Sequence, residues 1–320
     1  MNPFKIVFMG TSEFAVPILK ALRSSSDLIA LVVTQPDRPA GRGLALKPSP
    51  VKTEALKLGL SVFQPEKIKE PEAVENIKVL NPDLLVVAAY GQILPKSVLD
   101  IPKIACLNVH GSLLPKYRGA APIHYAVMAG ETETGVTIIY MNEKMDEGDI
   151  LLSEKISVAS DETTGQLHER LAELGAQSLL KAIELLAQGK AKRIPQEDSR
   201  VTYAPSLKRE QCKIHWDKTS LEIVNLIRGL SPWPSAETGW NGKQLKVFSA
   251  QTADTKVEAG EPGKVPLTGQ VLSIEKEGIT VAALQGQVLL KEVQPPGKRR
   301  MSAYDFTLGH PDFKIGETLA

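Results

Sequence analysis

The chain is poor in cysteine: its 320 residues hold two, Cys106 and Cys212, which form no CxxC pair. A small secreted disulfide scaffold is excluded by length and cysteine number together. Cys106, inside the run ACLNV, reads as a small buried apolar group. No His or Cys spacing suits a metal site, so no metal is expected. Long apolar runs are also missing, and none approaches the roughly 18 residues of a membrane span. The stretch MNPFKIVFMGTSEF is too short for a secretion signal and runs straight into Glu13. The expected location is therefore cytoplasmic, with no membrane partner. A charge excess of one sign is lacking too: 38 Lys+Arg stand against 37 Asp+Glu, a net of +1. That balance excludes a broadly basic nucleic-acid binder. G-x-G-x-x-G is absent after the first apolar run, and G-x-S-x-G is absent altogether, which argues against a dinucleotide fingerprint and a nucleophile elbow.

What is present is an alternation. The runs 6–9, 28–33, 84–89 and 105–109 are short, rich in Val, Ile or Leu, and bounded by turn residues. Continuous apolar character predicts strands buried on both faces of a parallel sheet. Helical patterns lie between them, at 17–22 and 51–58, so the first half predicts an open α/β sheet. Ligands of such sheets sit at the carboxyl ends of the strands. Residues 136–141 and 150–157 read as strands flanking a loop. Residues 164–187 carry Leu167, Leu171, Leu174, Ile183 and Leu186 at helical spacing. A segment with little periodicity, 189–209, reads as a linker or a strap across the first domain. Beyond it come a short helix, 221–230, and closely spaced strand-like runs with glycine turns, which predict a small β-barrel or sandwich. The expected domains are 1–188, a basic linker 189–209, and 210–320.

The densest polar segment is 105–125. Asn108 and His110 stand two apart at the end of an apolar run, so in a strand both point to one face. An amide donor beside an imidazole suits a reaction that passes through a tetrahedral oxyanion. The histidine needs an acid to orient it. Asp146 is a candidate, in the loop NEKMDEGD, and Glu147 and Asp149 compete with it on composition. A structural histidine would give the same N-x-H, and acids in a hairpin loop are commonly solvated. His124, His168, His215 and His310 read as packing or isolated residues.

Charge is unevenly placed. Residues 1–188 hold 19 basic and 22 acidic groups, while 189–320 hold 19 and 15. The segment 34–52, TQPDRPAGRGLALKPSPVK, carries four prolines and a net charge of +3. Strand-to-helix connections usually take about 2–6 residues, so this one reads as a surface loop or as an arm that meets a polyanion. The 189–209 linker holds six basic against two acidic residues.

Residues 108–119, NVHGSLLPKYRG, closely resemble the signature of the 10-formyltetrahydrofolate-dependent formyltransferases. The resemblance implies a Rossmann-like catalytic domain. It also implies a catalytic trio of Asn108, His110 and Asp146, matched in type, order and interval, and so favours Asp146 over its neighbours. Ser112, Leu113, Leu114 and Pro115 match the family's folate-contacting loop. FMGTSEFAVPIL, VVTQPDRPAGRG, the linker and the β-rich C-terminal region extend the resemblance over the whole chain. There it looks like the branch that formylates methionyl initiator tRNA for translation initiation and ends in an OB-fold-like barrel. Implied with it are 10-formyltetrahydrofolate as co-substrate, no metal, and a monomer. Arg38, Arg42 and Lys47 of the arm, with Lys208 and Arg209 at the end of the linker, are the expected tRNA contacts. The alternative is a sugar-nucleotide or other small-amine N-formyltransferase using the same trio. A small amine does not call for a long basic loop, whereas acceptor-stem phosphates reward one. A non-catalytic RNA-binding protein, with a structural N-x-H, is the reading from another class.

Overall fold

A computed structural model describes residues 3–40, 45–253 and 266–320. Contacts divide the chain into two units, one of Met1–Pro122, Glu133–Ile156 and His168–Pro205, the other of Ile123–Thr132, Ser157–Leu167 and Ser206–Ala320.

In chain order the elements begin with β1 (Lys5–Gly10), α1 (Ala15–Ser24), β2 (Leu28–Val33), β3 (Arg38–Ala40), β4 (Ala45–Lys47), α2 (Pro50–Lys57), β5 (Val62–Phe63) and α3 (Pro71–Lys78). They continue with β6 (Leu84–Ala88), α4 (Lys96–Leu99), β7 (Ala105–His110), α5 (Pro122–Met128), β8 (Glu133–Tyr140), β9 (Ile150–Ser157) and α6 (Thr164–Ala187). The main sheet runs β5-β2-β1-β6-β7-β8-β9. Pairing is parallel from β5 through β7, and β8 joins β7 antiparallel. The apolar runs explain this: β6 is buried at every position, and Ile6–Met9 of β1 are fully enclosed.

Strand order reverses at β1, with β2 and β5 on one side and β6 onward on the other. Open α/β sheets bind ligands at such a switch point. Here the carboxyl ends of β1 and β6 are tied by Thr11 Oγ1 donating to the Tyr90 carbonyl at 2.7 Å.

The 34–52 arm, expected as a loop, contains a short hairpin in which Arg38 of β3 pairs with Lys47 of β4. The arm then feeds α2 through Ser49, whose hydroxyl accepts from the Lys52 N–H at 3.0 Å, with Pro50 in the first turn.

The second unit adds α7 (Ser220–Gly229), β10 (Ala236–Trp240), β11 (Lys243–Ala253), β12 (Val271–Glu275), β13 (Gly278–Ala282), β14 (Gln287–Gln294), β15 (Met301–Ser302) and α8 (Ala303–Leu308). Its antiparallel sheet runs β10-β11-β14-β13-β12, with β15 on β14. The two edges are joined by the C-terminal tail. Gly239 of β10 exchanges backbone hydrogen bonds with Ala320, and the Val271 N–H of β12 donates to the Glu317 carbonyl. The tail thus covers edges that would otherwise be open to pairing. The core holds Trp216, Ile223, Ile227, Trp240, Val247 and Phe306.

Met128 of 123–132 packs against this core, and 157–167 is tied here by polar contacts. Thr164 Oγ1 donates to the Gly229 carbonyl at 2.7 Å, and the buried Arg228 guanidinium donates to the carbonyls of Ala159 and Glu162. Among the described residues no helix is long and apolar enough to cross a membrane.

Candidate active site

β7 lies inside the sheet, with Val87 of β6 beside Asn108 and Thr137 of β8 opposite His110. Its period-two pleat sends Asn108 and His110 to one face at the carboxyl edge. The loop between β8 and β9 brings Asp146 to the same point. Asn108 Nδ2 donates to Asp146 Oδ1 at 3.3 Å, and His110 Nδ1 lies 3.6 Å from Asp146 Oδ2. Of the loop's three acids, this one meets the pair. Glu147 instead faces Arg118 and Lys144, and Asp149 faces Arg193. The His110 side chain is 6% exposed and the Asp146 side chain 12%, so charge on either is little screened by water.

Two backbone groups of one turn hold the histidine and the acid. His110 Nε2 meets the Tyr117 carbonyl at 3.0 Å. A carbonyl only accepts, so Nε2 carries the hydrogen and Nδ1 is the nitrogen turned to Asp146. Two residues on, the Gly119 N–H donates to Asp146 Oδ2 at 2.8 Å. Gly119 has φ +125°, and a Cβ there would stand 2.6 Å from the Ala204 carbonyl oxygen. Sequence reasoning missed this turn's role, and it missed Gln196, whose amide reaches the Asp146 loop from the linker. The turn lies within the quoted signature. Nothing local marks Gln196.

Residues 4–183 match the family described as Formyl transferase, and residues 206–311 match Formyl transferase, C-terminal domain. The methionyl-tRNA formyltransferase of Moorella thermoacetica is 48% identical over 307 residues, 96% of each chain. That of Syntrophus aciditrophicus is 49% identical over 97% of each. The chain belongs to the methionyl-tRNA formyltransferase family.

Solved structures share the fold of this formyltransferase family member at low identity. The sugar 3N-formyl transferase WlaRD, solved in the presence of dTDP and 5-N-formyl-THF, superposes with TM-score 0.66 at 18% identity, over 93% of this chain and 100% of that one. HypX from Aquifex aeolicus, solved in complex with tetrahydrofolic acid, gives TM-score 0.62 at 17% identity. This chain spans 47% of HypX.

The remaining predicted residues are placed as follows. Ser112, Leu114 and Pro115 are buried, and Leu113 is half-buried. The Ser112 hydroxyl donates to the Lys116 carbonyl at 2.7 Å, and the Leu114 N–H donates to Thr137 Oγ1. Arg38 and Lys47 are exposed in the first unit, Arg38 loosely paired with Glu66 at 3.6 Å. Lys208 and Arg209 are exposed in the second. Arg42 lies outside the described residues. His168 packs edge-on against Phe14, and His310 packs against Phe306 and Trp240, as packing residues do. Burial pushes the His168 imidazole below its ordinary value and the Cys106 thiol up to about 12. A groove of 1020 Å³ in the first unit, lined by Glu13, Pro17, Thr53, Lys57, His168 and Glu173 among others, is lined by none of Asn108, His110 and Asp146. Its size carries less weight than the convergence of chemistry at the end of β7.

Proposed function

We propose that this chain transfers the formyl group of 10-formyltetrahydrofolate to the α-amino group of methionyl initiator tRNA. The observation that supports the chemistry best is the meeting of Asn108 and His110 on one carboxylate. That donor set fits an acyl transfer, with an amide and an imidazole to stabilise an oxyanion and an acid to take a proton.

The folate supplies a formyl carbon already activated by its bond to N10. Asn108 turns its N–H toward the oxygen that gains negative charge as the amine adds. Such a donor contributes about 2.7–4 kcal/mol to the transition state. Asp146 receives the proton the amine loses, directly or through water. His110, as the imidazolium, donates through Nδ1–H, because its Nε2–H is held by the Tyr117 carbonyl. When the tetrahedral species collapses, the C–N10 bond breaks and N10 takes a proton from the His110–Asp146 pair. One proton has then passed from amine to N10, and the pair is restored. Ser112, Leu113, Leu114 and Pro115 form the loop that meets the co-substrate. Arg38, Arg42 and Lys47, with Lys208 and Arg209, meet tRNA phosphates. The enzyme works as a monomer in the cytoplasm.

One preparation assayed on methionyl initiator tRNA, methionyl elongator tRNA and a free amino sugar tests this reading. Initiator tRNA is expected to be formylated fastest. A preference for the sugar overturns the substrate assignment.

A further inference from the structure

We propose that Gln196 is a positioning residue for Asp146, and that the linker strap 193–204 is thereby part of the active site. The inference rests on the role assigned to Asp146 above.

Asp146 has φ +55°, a left-handed conformation that a non-glycine residue adopts at a cost. Contacts from outside the loop must hold it there, and Gln196 supplies them. Its Nε2 donates to the Asp146 carbonyl at 2.7 Å and to the Gly148 carbonyl at 2.8 Å, which uses both hydrogens of the amide. Its Oε1 accepts from Arg118 Nε at 3.1 Å and from a terminal nitrogen of the same guanidinium at 2.9 Å. Turning the amide over would set its NH2 against the guanidinium and its oxygen against two carbonyls. The orientation is therefore determined by chemistry at both ends.

Arg118 is 4% exposed and is itself anchored by the strap. Its N–H donates to the Thr202 carbonyl at 2.9 Å, and its carbonyl accepts from Ala204 at 2.8 Å. The consecutive residues 117, 118 and 119 thus serve His110, Gln196 and Asp146 in turn. The strap reaches the same loop at further points. Arg193 stacks over the Tyr140 ring at 3.8 Å and pairs with Asp149, and Ile194 exchanges two backbone hydrogen bonds with Ile150. Gln196 touches none of the reacting groups in this arrangement. It acts through the backbone of the acid that does.

Gln196→Glu separates positioning from packing. The new side chain has nearly the same size and keeps its partner Arg118, but it sets an acceptor against the two loop carbonyls. Turnover, KM for tRNA and for formyl folate, and thermal melting are measured for Gln196→Glu, Gln196→Ala, Asp146→Asn and the Gln196→Glu/Asp146→Asn double variant. Gln196→Glu is expected to lower kcat about ten- to a hundredfold, the scale of a misplaced reacting group. Both KM values should stay within about twofold, with the melting transition retained. In the Asp146→Asn background the same change should lower kcat by less than about twofold, since its effect runs through Asp146. An impaired Asp146→Asn enzyme beside a Gln196→Glu enzyme of wild-type kcat overturns the positioning role and leaves the site assignment standing. An equal loss in both backgrounds also overturns it, because the effect is then structural. Wild-type kcat in Asp146→Asn removes the site assignment and this inference together.

Discussion

Tyr117 holds His110 through its backbone carbonyl, at 3.0 Å from Nε2. One imidazole nitrogen is thereby committed to structure, and the other faces Asp146. Turning the ring over would set Cε1 on that carbonyl and Cδ2 on the carboxylate, so the nitrogen that faces Asp146 is chosen by the backbone of a neighbouring turn.

Asn108→Ala, His110→Ala and Asp146→Ala should each lower turnover about a hundredfold or more while the protein stays folded. Formyl transfer assayed beside a melting curve checks this. Near-normal turnover in folded His110→Ala would refute the role given to the histidine.

Gly119→Ala strikes the same turn by a different route. A side chain there strains a backbone at φ +125° and drives a Cβ against the Ala204 carbonyl. The expected cost is about 1–3 kcal/mol of stability. Displacement of the N–H that Asp146 accepts should add a loss of kcat. Unchanged melting and unchanged kcat together would show that the turn relaxes freely.

Arg42→Ala, and Arg38→Ala with Lys47→Ala, should raise KM for tRNA while KM for formyl folate stays near wild type. Phosphate contacts displace counterions, so tRNA affinity should fall as salt rises, and each lost contact should reduce that dependence by about one in the log–log slope. The exposed Arg38–Glu66 pair contributes little that would oppose this. Salt-independent tRNA binding would exclude the arm and linker as phosphate contacts.

Asp83 offers a pH test of the fold. The backbone N–H of Lys5, at 2.8 Å, holds its carboxyl below the ordinary value, with help from Lys103. A depressed folded pKa gives stability that is present above the unfolded value, about pH 4, and is lost as pH falls through the folded one. Asp83→Asn should therefore melt below wild type at pH 7, and the gap should narrow below about pH 4. A gap of constant size across this range would assign the effect to packing.

Much of the first unit was legible because its signal is short-ranged. Continuous apolar runs mark β1, β6 and β7 as buried strands and locate β2, although Leu28 at its start is exposed, and the leucine spacing over 164–187 coincides with α6. Less was legible where partners are distant. The hairpin inside the 34–52 arm has two three-residue strands, too short for a pattern. The tail that joins β10 to β12 carries no periodicity.

By itself the sequence determined an α/β sheet followed by a β-rich region, and it placed Asn108 beside His110 on one strand face. Both follow from the two- and 3.6-residue periods of the backbone, which need only neighbours in the chain. Residue pattern left Asp146, Glu147 and Asp149 equivalent, and resemblance alone favoured the first. Tertiary structure decided which acid meets the pair, which imidazole nitrogen faces it, and that Gln196 holds the loop from 50 residues away. Those choices depend on hydrogen bonds between segments that only folding brings together, and a linear pattern carries no trace of such geometry.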